Sequence, residues 1–247
     1  MKSKVFFTRE ITPEKVVELY RLLGKELPGR VAIKLHSGEV GNQNFLKPAF
    51  WKPIIDMVGG NVVECNTAYE GQRNTTAKHM STLEAHGWKK YFRVDLMDAE
   101  GPDLELSIPE GKVIQKNFVG KNMKNYDSIL VLSHFKGHPM GGYGGALKQL
   151  AIGCASSYEM CIRDRDEAGR VKGLVLRKDL VFLCHINEIP EGHIGIPGGL
   201  VLVEIQPEVH KKGHIIFHVH IDGIFQGDDR QLLRIRIGGL VDRVIKT

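Results

Sequence analysis

The sequence predicts an α/β fold: a mainly parallel sheet with flanking helices over residues 1–157, followed by a β-rich tail over residues 166–247. Three observations carry this. Short apolar runs rich in Val, Ile and Leu recur at residues 31–35, 62–65 and 127–132, the pattern of strands buried in a sheet. Segments of helical periodicity stand between them, and strand–helix alternation feeds parallel strands. Past Ser157 the composition changes: no serine follows, no alanine follows Ala168, and Thr247 is the only threonine after Thr82.

Residues 4–8 read as the first strand. Thr12-Pro13-Glu14 then supplies an N-cap, a proline at the first helical position and an acid in the first turn. Val16, Val17, Leu19, Tyr20 and Leu23 form the apolar stripe, and Gly24 stops it. Residues 31–35 are the second strand. Lys47-Pro48 opens the next helix, which runs through Trp51, Ile54, Ile55 and Val58 to Gly59-Gly60. The third strand is 62–65; Asn74 or Thr75 caps a helix reaching His86-Gly87. Residues 91–96 give a fourth strand. A hairpin of 104–108 and 112–118 turns on Pro109-Glu110-Gly111. The run 127–132 ends in Ser133, His134, Lys136 and His138. Five glycines follow between Gly137 and Gly145, and a helix spans 146–152.

In parallel sheets ligands bind beyond the carboxyl ends of the strands, so the residues delivered there are the first candidates. The second strand delivers His36, Glu39 and Asn42; the third, Asn66, Thr67, Tyr69 and Arg73; the fourth, Asp95 and Asp98. The run 127–132 delivers Ser133, His134, Lys136 and His138. Strand, glycine loop and helix together offer backbone N–H groups to an anion, with Gly144 and Gly145 in that loop. We assign His134, His138 and Lys148 as catalytic candidates, since imidazole titrates near neutrality. His36, Glu39, Asn42, Thr67, Arg73, Ser133, Lys136, Gly144 and Gly145 are binding candidates. Plainer roles compete: a hydrogen bond within the loop for an imidazole, a solvated helix position for Lys148, an ion pair with Glu70 for Arg73. Cys154 reads as a small buried residue.

A hydrophobic fraction of 42% and a charged fraction of 26% are those of a soluble globular chain. The net charge of +5 is mild, and no Lys/Arg run interleaves with aromatics, which argues against nucleic acid. The N-terminus lacks an apolar h-region and no run reaches membrane-spanning length. Four scattered cysteines, Cys65, Cys154, Cys161 and Cys184, form no CxxC pair and fit a reduced, cytoplasmic chain. The expected partner is a small-molecule or anionic ligand, with neither nucleic acid nor membrane.

The run SHFKGH…GGYGGALKQLAIGCAS, with VAIKLHSGEVGNQNFLKP and ECNTAYEGQRNTTAKH before it, resembles the signature of the DUF362 family over about residues 1–157. Its members are labelled uncharacterised iron–sulfur centre proteins. The resemblance implies an iron–sulfur cluster and electron transfer to a redox partner in intact relatives. Many of these carry a ferredoxin-like run of four cysteines that this chain lacks. The chain is therefore expected to be truncated and not to bind the cluster. A weaker similarity is to the nickel-pincer lactate racemases, with His134, Gly144, Gly145 and Lys148 as counterparts. Lys148 stands off their tighter Gly-Gly-x-Lys spacing. That similarity implies proton or hydride transfer at a hydroxy-acid carbon, with His134 or His138 as base. A third reading is an anion-binding module without catalysis.

Relatives continue past GCAS with Gly-Lys, whereas here residues 158–165 read YEMCIRDR. MCIRDR resembles a translated sequencing-adapter string, and we read 158–165 as an artificial join. In the tail His214, His218 and His220 share one face of a strand, with His193 a fourth imidazole. A solvated face is the favoured reading, and no metal site is assigned.

Overall fold

The computed structural model describes residues 5–101, 104–107, 115–138, 142–157, 179–186, 199–205, 219–222, 234–237 and 245–246, with side chains for 6–101, 104–107, 115–134, 145–146 and 148–157. The chain opens with β1 (Val5–Thr8) and α1 (Pro13–Leu22). Thr12 caps α1: its Oγ1 accepts the Lys15 N–H at 3.2 Å, and Pro13 occupies a position whose N–H would have no helical partner. β2 (Val31–Leu35), α2 (Pro48–Val58) and β3 (Asn61–Glu64) follow the sequence reading closely. α3 (Thr76–Ala85) starts after Thr75, whose side chain accepts from the Lys78 N–H.

The next stretch departs from expectation. Residues 91–96 do not form one strand: α4 (Trp88–Tyr91) precedes a short β4 (Val94–Leu96). Burial decides it. Trp88 is fully buried and its Nε1 donates to the Ser37 carbonyl at 2.9 Å, while the Phe92 N–H closes a helical turn onto the Trp88 carbonyl. β5 (Leu104–Ser107) pairs antiparallel with β6 (Lys116–Val119) as a separate hairpin. The Pro109-Glu110-Gly111 turn lies outside the described residues. After a 3-10 turn at Lys121–Asn125 comes β7 (Ser128–His138), then β8 (Gly142–Gly144) and α5 (Ala146–Ala151). Beyond residue 157 the described elements are β9 (Asp179–Ile186), β10 (Gly199–Ile205), β11 (Val219–Asp222), β12 (Arg234–Ile237) and β13 (Ile245–Lys246). The join at 158–165, His193, His214 and His218 fall outside the described residues, and His220 lies on β11.

The main sheet runs β13-β1-β10-β9-β7-β2-β3-β4. β7, β2, β3 and β4 are successively parallel, and β9 continues the parallel set on the other side of β7. β9, β10 and β1 pair antiparallel, and β13 joins β1 in parallel. The chain is therefore α/β with a mainly parallel centre, and β7 is interior. Alternate residues of a strand reach opposite faces. Val31, Ile33, Leu35, Val62, Leu130 and Leu132 pack with α1, α2 and Trp88 on one side. Ala32, Val63, Ile129 and Val131 pack with Met97, Val119, Met123 and Leu150 on the other. A sheet covered on both faces requires near-continuous apolar strands, which is why any charge inside one carries information.

Candidate functional site

Lys34 is such a charge. It sits in β2 with every neighbour on the strand buried and is itself 1% exposed. Its ammonium donates to Glu64 Oε2 at 2.5 Å, Gln149 Oε1 at 2.7 Å and the Leu35 carbonyl at 2.9 Å, so all three N–H donors are used. Glu64, at the end of β3, is also buried; its Oε1 accepts the Ser37 N–H at 3.0 Å and lies 3.8 Å from Arg73 Nη1. Two strands, the loop after β3 and α5 thus share one buried ionic network.

Arg73 extends the network toward solvent. Its Nη2 donates to Glu39 Oε1 and to the Tyr69 hydroxyl, while that hydroxyl donates to Glu39 Oε1 at 2.8 Å. The Arg73 carbonyl accepts the Thr67 N–H at 2.8 Å and so folds the 67–73 loop back on itself. Glu39 stands between Gly38 and Gly41, whose φ values of 91° and 78° are left-handed and favour glycine. The base of this loop is held from α3 and α4: the Ser37 carbonyl accepts from His86 Nδ1 at 3.0 Å as well as from Trp88. Phe45 stacks on His86, and the Lys47 ammonium lies over the Phe45 ring, 3.8 Å from its centroid.

Electrostatics follow from burial and pairing. Burial pushes the Glu64 carboxyl up, but Lys34 and Arg73 overcome it and hold it at about 2. Burial likewise opposes the charge on Arg73, yet the Glu39 hydrogen bond and the Glu64 charge raise it. Glu39 is held below its ordinary value because Arg73 outweighs burial. Burial lowers His36 to about 4, and the charges of Glu64, Arg73, Lys34 and Glu39 all act on it. His79, fully buried with Nδ1 donating to Asn66 Oδ1 at 3.2 Å, is also lowered by burial to about 4. Both imidazoles are neutral at pH 7. Four buried polar atoms in and around this network, Ser37 Oγ, Thr67 Oγ1, Arg73 Nε and His79 Nε2, have no hydrogen-bond partner among the described residues.

Several sequence candidates meet. Glu39, Tyr69 and Arg73 are in contact, and His36 lies within their field. The register pairs Leu35 with Leu132, so His36, just past the end of β2, and Ser133, inside the longer β7, follow as next residues on adjacent strands, with His134 beyond. Ser133 is buried and His134 half-buried. Thr67 is buried; Asn42 instead builds a turn, its N–H on the Glu39 carbonyl and its Oδ1 accepting the Asn44 N–H. Asp98 is a staple, accepting the N–H groups of Asn66 and Ser157. Asp95 binds Asn122 and Tyr126 away from the cluster.

The plainer role weighed for Arg73, an ion pair with Glu70, is replaced by pairs with Glu39 and Glu64. One expectation is corrected. The glycine stretch is not a bare loop: β7 runs past Leu132 to His138, and Gly142–Gly144 pairs back antiparallel on Lys136–His138. The strand persists because β9 pairs with it from Ser128 to Phe135 and β8 takes over from there. Lys136, His138 and Gly144 are thereby placed in a hairpin at the strand end; the side chains of Lys136 and His138 lie outside the described ones. Gly145 is buried ahead of the six-residue α5, on which Lys148 is half-buried. Lys34, Glu64, Gln149 and His79 were not among the sequence candidates. The signal existed: a lysine in VAIKL and a glutamate in NVVE, in neighbouring buried strands, must pair.

The cluster implied for relatives finds no ligand set among the described residues. Cys65 and Cys154 are buried in the apolar core, Cys65 Sγ donates to the Cys154 carbonyl, and burial pushes the Cys65 thiol well up. No group of three or more His, Cys, Asp or Glu side chains there is arranged to hold a metal, and no described helix is long and apolar enough to cross a membrane. Comparison with curated proteins finds no match. The family model described as a domain of unknown function, DUF362, matches residues 31–221. That range takes in β2, β3, β7 and the whole ionic network, and the chain belongs to the DUF362 family.

Proposed function

We propose that the carboxyl ends of β2, β3 and β7 bind a small anionic molecule. The observation that supports this best is Arg73: a residue 6% exposed whose Nε has no partner among the described residues, in the same loop as an equally unpartnered Thr67 hydroxyl. A buried donor left unsatisfied costs about 1–3 kcal/mol, and a ligand that accepts from it recovers that cost. In this reading Arg73 supplies the charge, and Thr67, His36 and Ser133 supply hydrogen bonds. His134 of β7 is assigned the proton transfer, and Lys136 and His138 on the hairpin and Lys148 on α5 are the further candidates of the site. Gly144 and Gly145 let backbone approach closely. Electron transfer through an iron–sulfur cluster draws no support from the described residues.

The test compares thermal melts of the parent and His134→Ala with and without a panel of phosphates and hydroxy acids. We expect an anion to raise the parent Tm, and His134→Ala to lose that shift while melting close to the parent. The proposal fails if no anion shifts the parent and His134→Ala melts far below it, for the strand end is then purely structural.

A further inference from the structure

Resting on that anion-site reading, we infer that Glu39 is an internal stand-in for the ligand's carboxylate, and that the natural ligand is a small carboxylate which displaces it from Arg73. The guanidinium edge formed by Nε and Nη2 takes a carboxylate through two parallel N–H···O bonds. Glu39 uses only the Nη2 half, with the Tyr69 hydroxyl as its second donor on the same oxygen; Nε is left unpartnered and buried. A carboxylate not tethered to the backbone spans both nitrogens.

Accessibility fits the exchange. The Glu39 side chain is 35% exposed and its neighbours Val40 and Tyr69 are exposed, whereas Arg73 behind it is buried. Glu39 can therefore leave toward solvent while the base of its loop stays fixed on Trp88 and His86. Charge selects the class. Within the buried ionic network, with Glu39 gone, Lys34, Arg73 and Glu64 sum to a single positive charge, His36 and His79 being neutral. A monocarboxylate restores neutrality; a phosphate dianion adds a second negative charge a few ångströms from Glu64.

Calorimetric titration of acetate, propionate and inorganic phosphate into the parent, Glu39→Gln, Glu39→Ala and Glu39→Ala/Arg73→Gln tests this. Removing an internal competitor raises apparent affinity by the inverse of the fraction of time the seat stood free, so a seat free about a tenth of the time or less gives about a tenfold or larger gain for acetate in Glu39→Ala. Glu39→Gln, which keeps the side chain's shape, gains in the same direction, and the double variant loses acetate binding. Acetate also raises the Tm of Glu39→Ala more than that of the parent, a readout that survives if the variant is only partly folded at rest. No gain in either single variant, or a gain for phosphate as large as for acetate, overturns the inference. If the parent binds anions in a His134-dependent way yet the Glu39 variants gain nothing, only this inference fails. If neither parent nor variants bind any anion, the binding site itself is refuted.

Discussion

At Lys34 a single substitution reaches a buried partner. Both Lys34 and Glu64 are buried, and each is the other's closest charge at 2.5 Å. Pairing two buried ions gains little over apolar packing, but removing one partner leaves the other desolvated and alone, at a cost of about 3–5 kcal/mol. Lys34→Met is therefore expected to lower unfolding free energy by about that amount in urea titration, and adding Glu64→Leu to recover part of it. A neutral effect of Lys34→Met would show that Arg73 alone compensates Glu64. Sequence reasoning found Arg73, His36 and Glu39 because strand-end positions are counted from the strands. It missed Lys34 and Glu64 because they stand inside strands, where a side chain's partner is set by the neighbouring strand's register.

Among the elements, β7 is the one on which the others align. It is parallel to β2 on one edge and to β9 on the other, and Ile129 is 1% exposed between them. Ile129→Ala removes buried methyl groups and leaves a void, costing about 2–5 kcal/mol. The measurable outcome is a lower denaturant midpoint with anion binding retained in whatever protein stays folded, the converse of His134→Ala. Loss of binding without loss of stability would place Ile129 in the wrong role. Strand existence here was legible from the apolar run at 127–132. Its extension to His138 was not, because the added residues, with their glycines and imidazoles, have low strand propensity and are held by β8 and β9. The same override explains β4, shortened because Trp88 is drawn into the core and keeps a helical turn ahead of it.

For the whole molecule, the imidazoles of half-buried His36 and buried His79 fix a direction of pH dependence. His36 and His79 have folded values lowered from 6.5 to about 4, so the unfolded chain binds more protons between those limits. Their contribution is complete above about pH 6.5 and declines as pH falls toward 4. Glu64, lowered from 4.5 to about 2, takes over below that, its contribution present above 4.5 and lost toward 2. Urea midpoints measured from pH 8 to 4 should fall mainly below 6.5, and His79→Gln should flatten the fall. A profile level down to pH 5 in the parent would mean that the imidazoles are hydrated.

The sequence by itself determined the α/β class, the cap of α1, the buried strands at 31–35 and 127–132, and the polar character of the sheet's carboxyl edge. These are local: a capping threonine, a proline, an apolar run and a strand end act through neighbours within a few residues. Only the tertiary structure decided which charges meet. Glu39 is 34 residues from Arg73, and Lys34 is 30 from Glu64 and 115 from Gln149. Those pairings depend on strand order and register, and they form because a buried charge must find an opposite one wherever the packed sheet brings it.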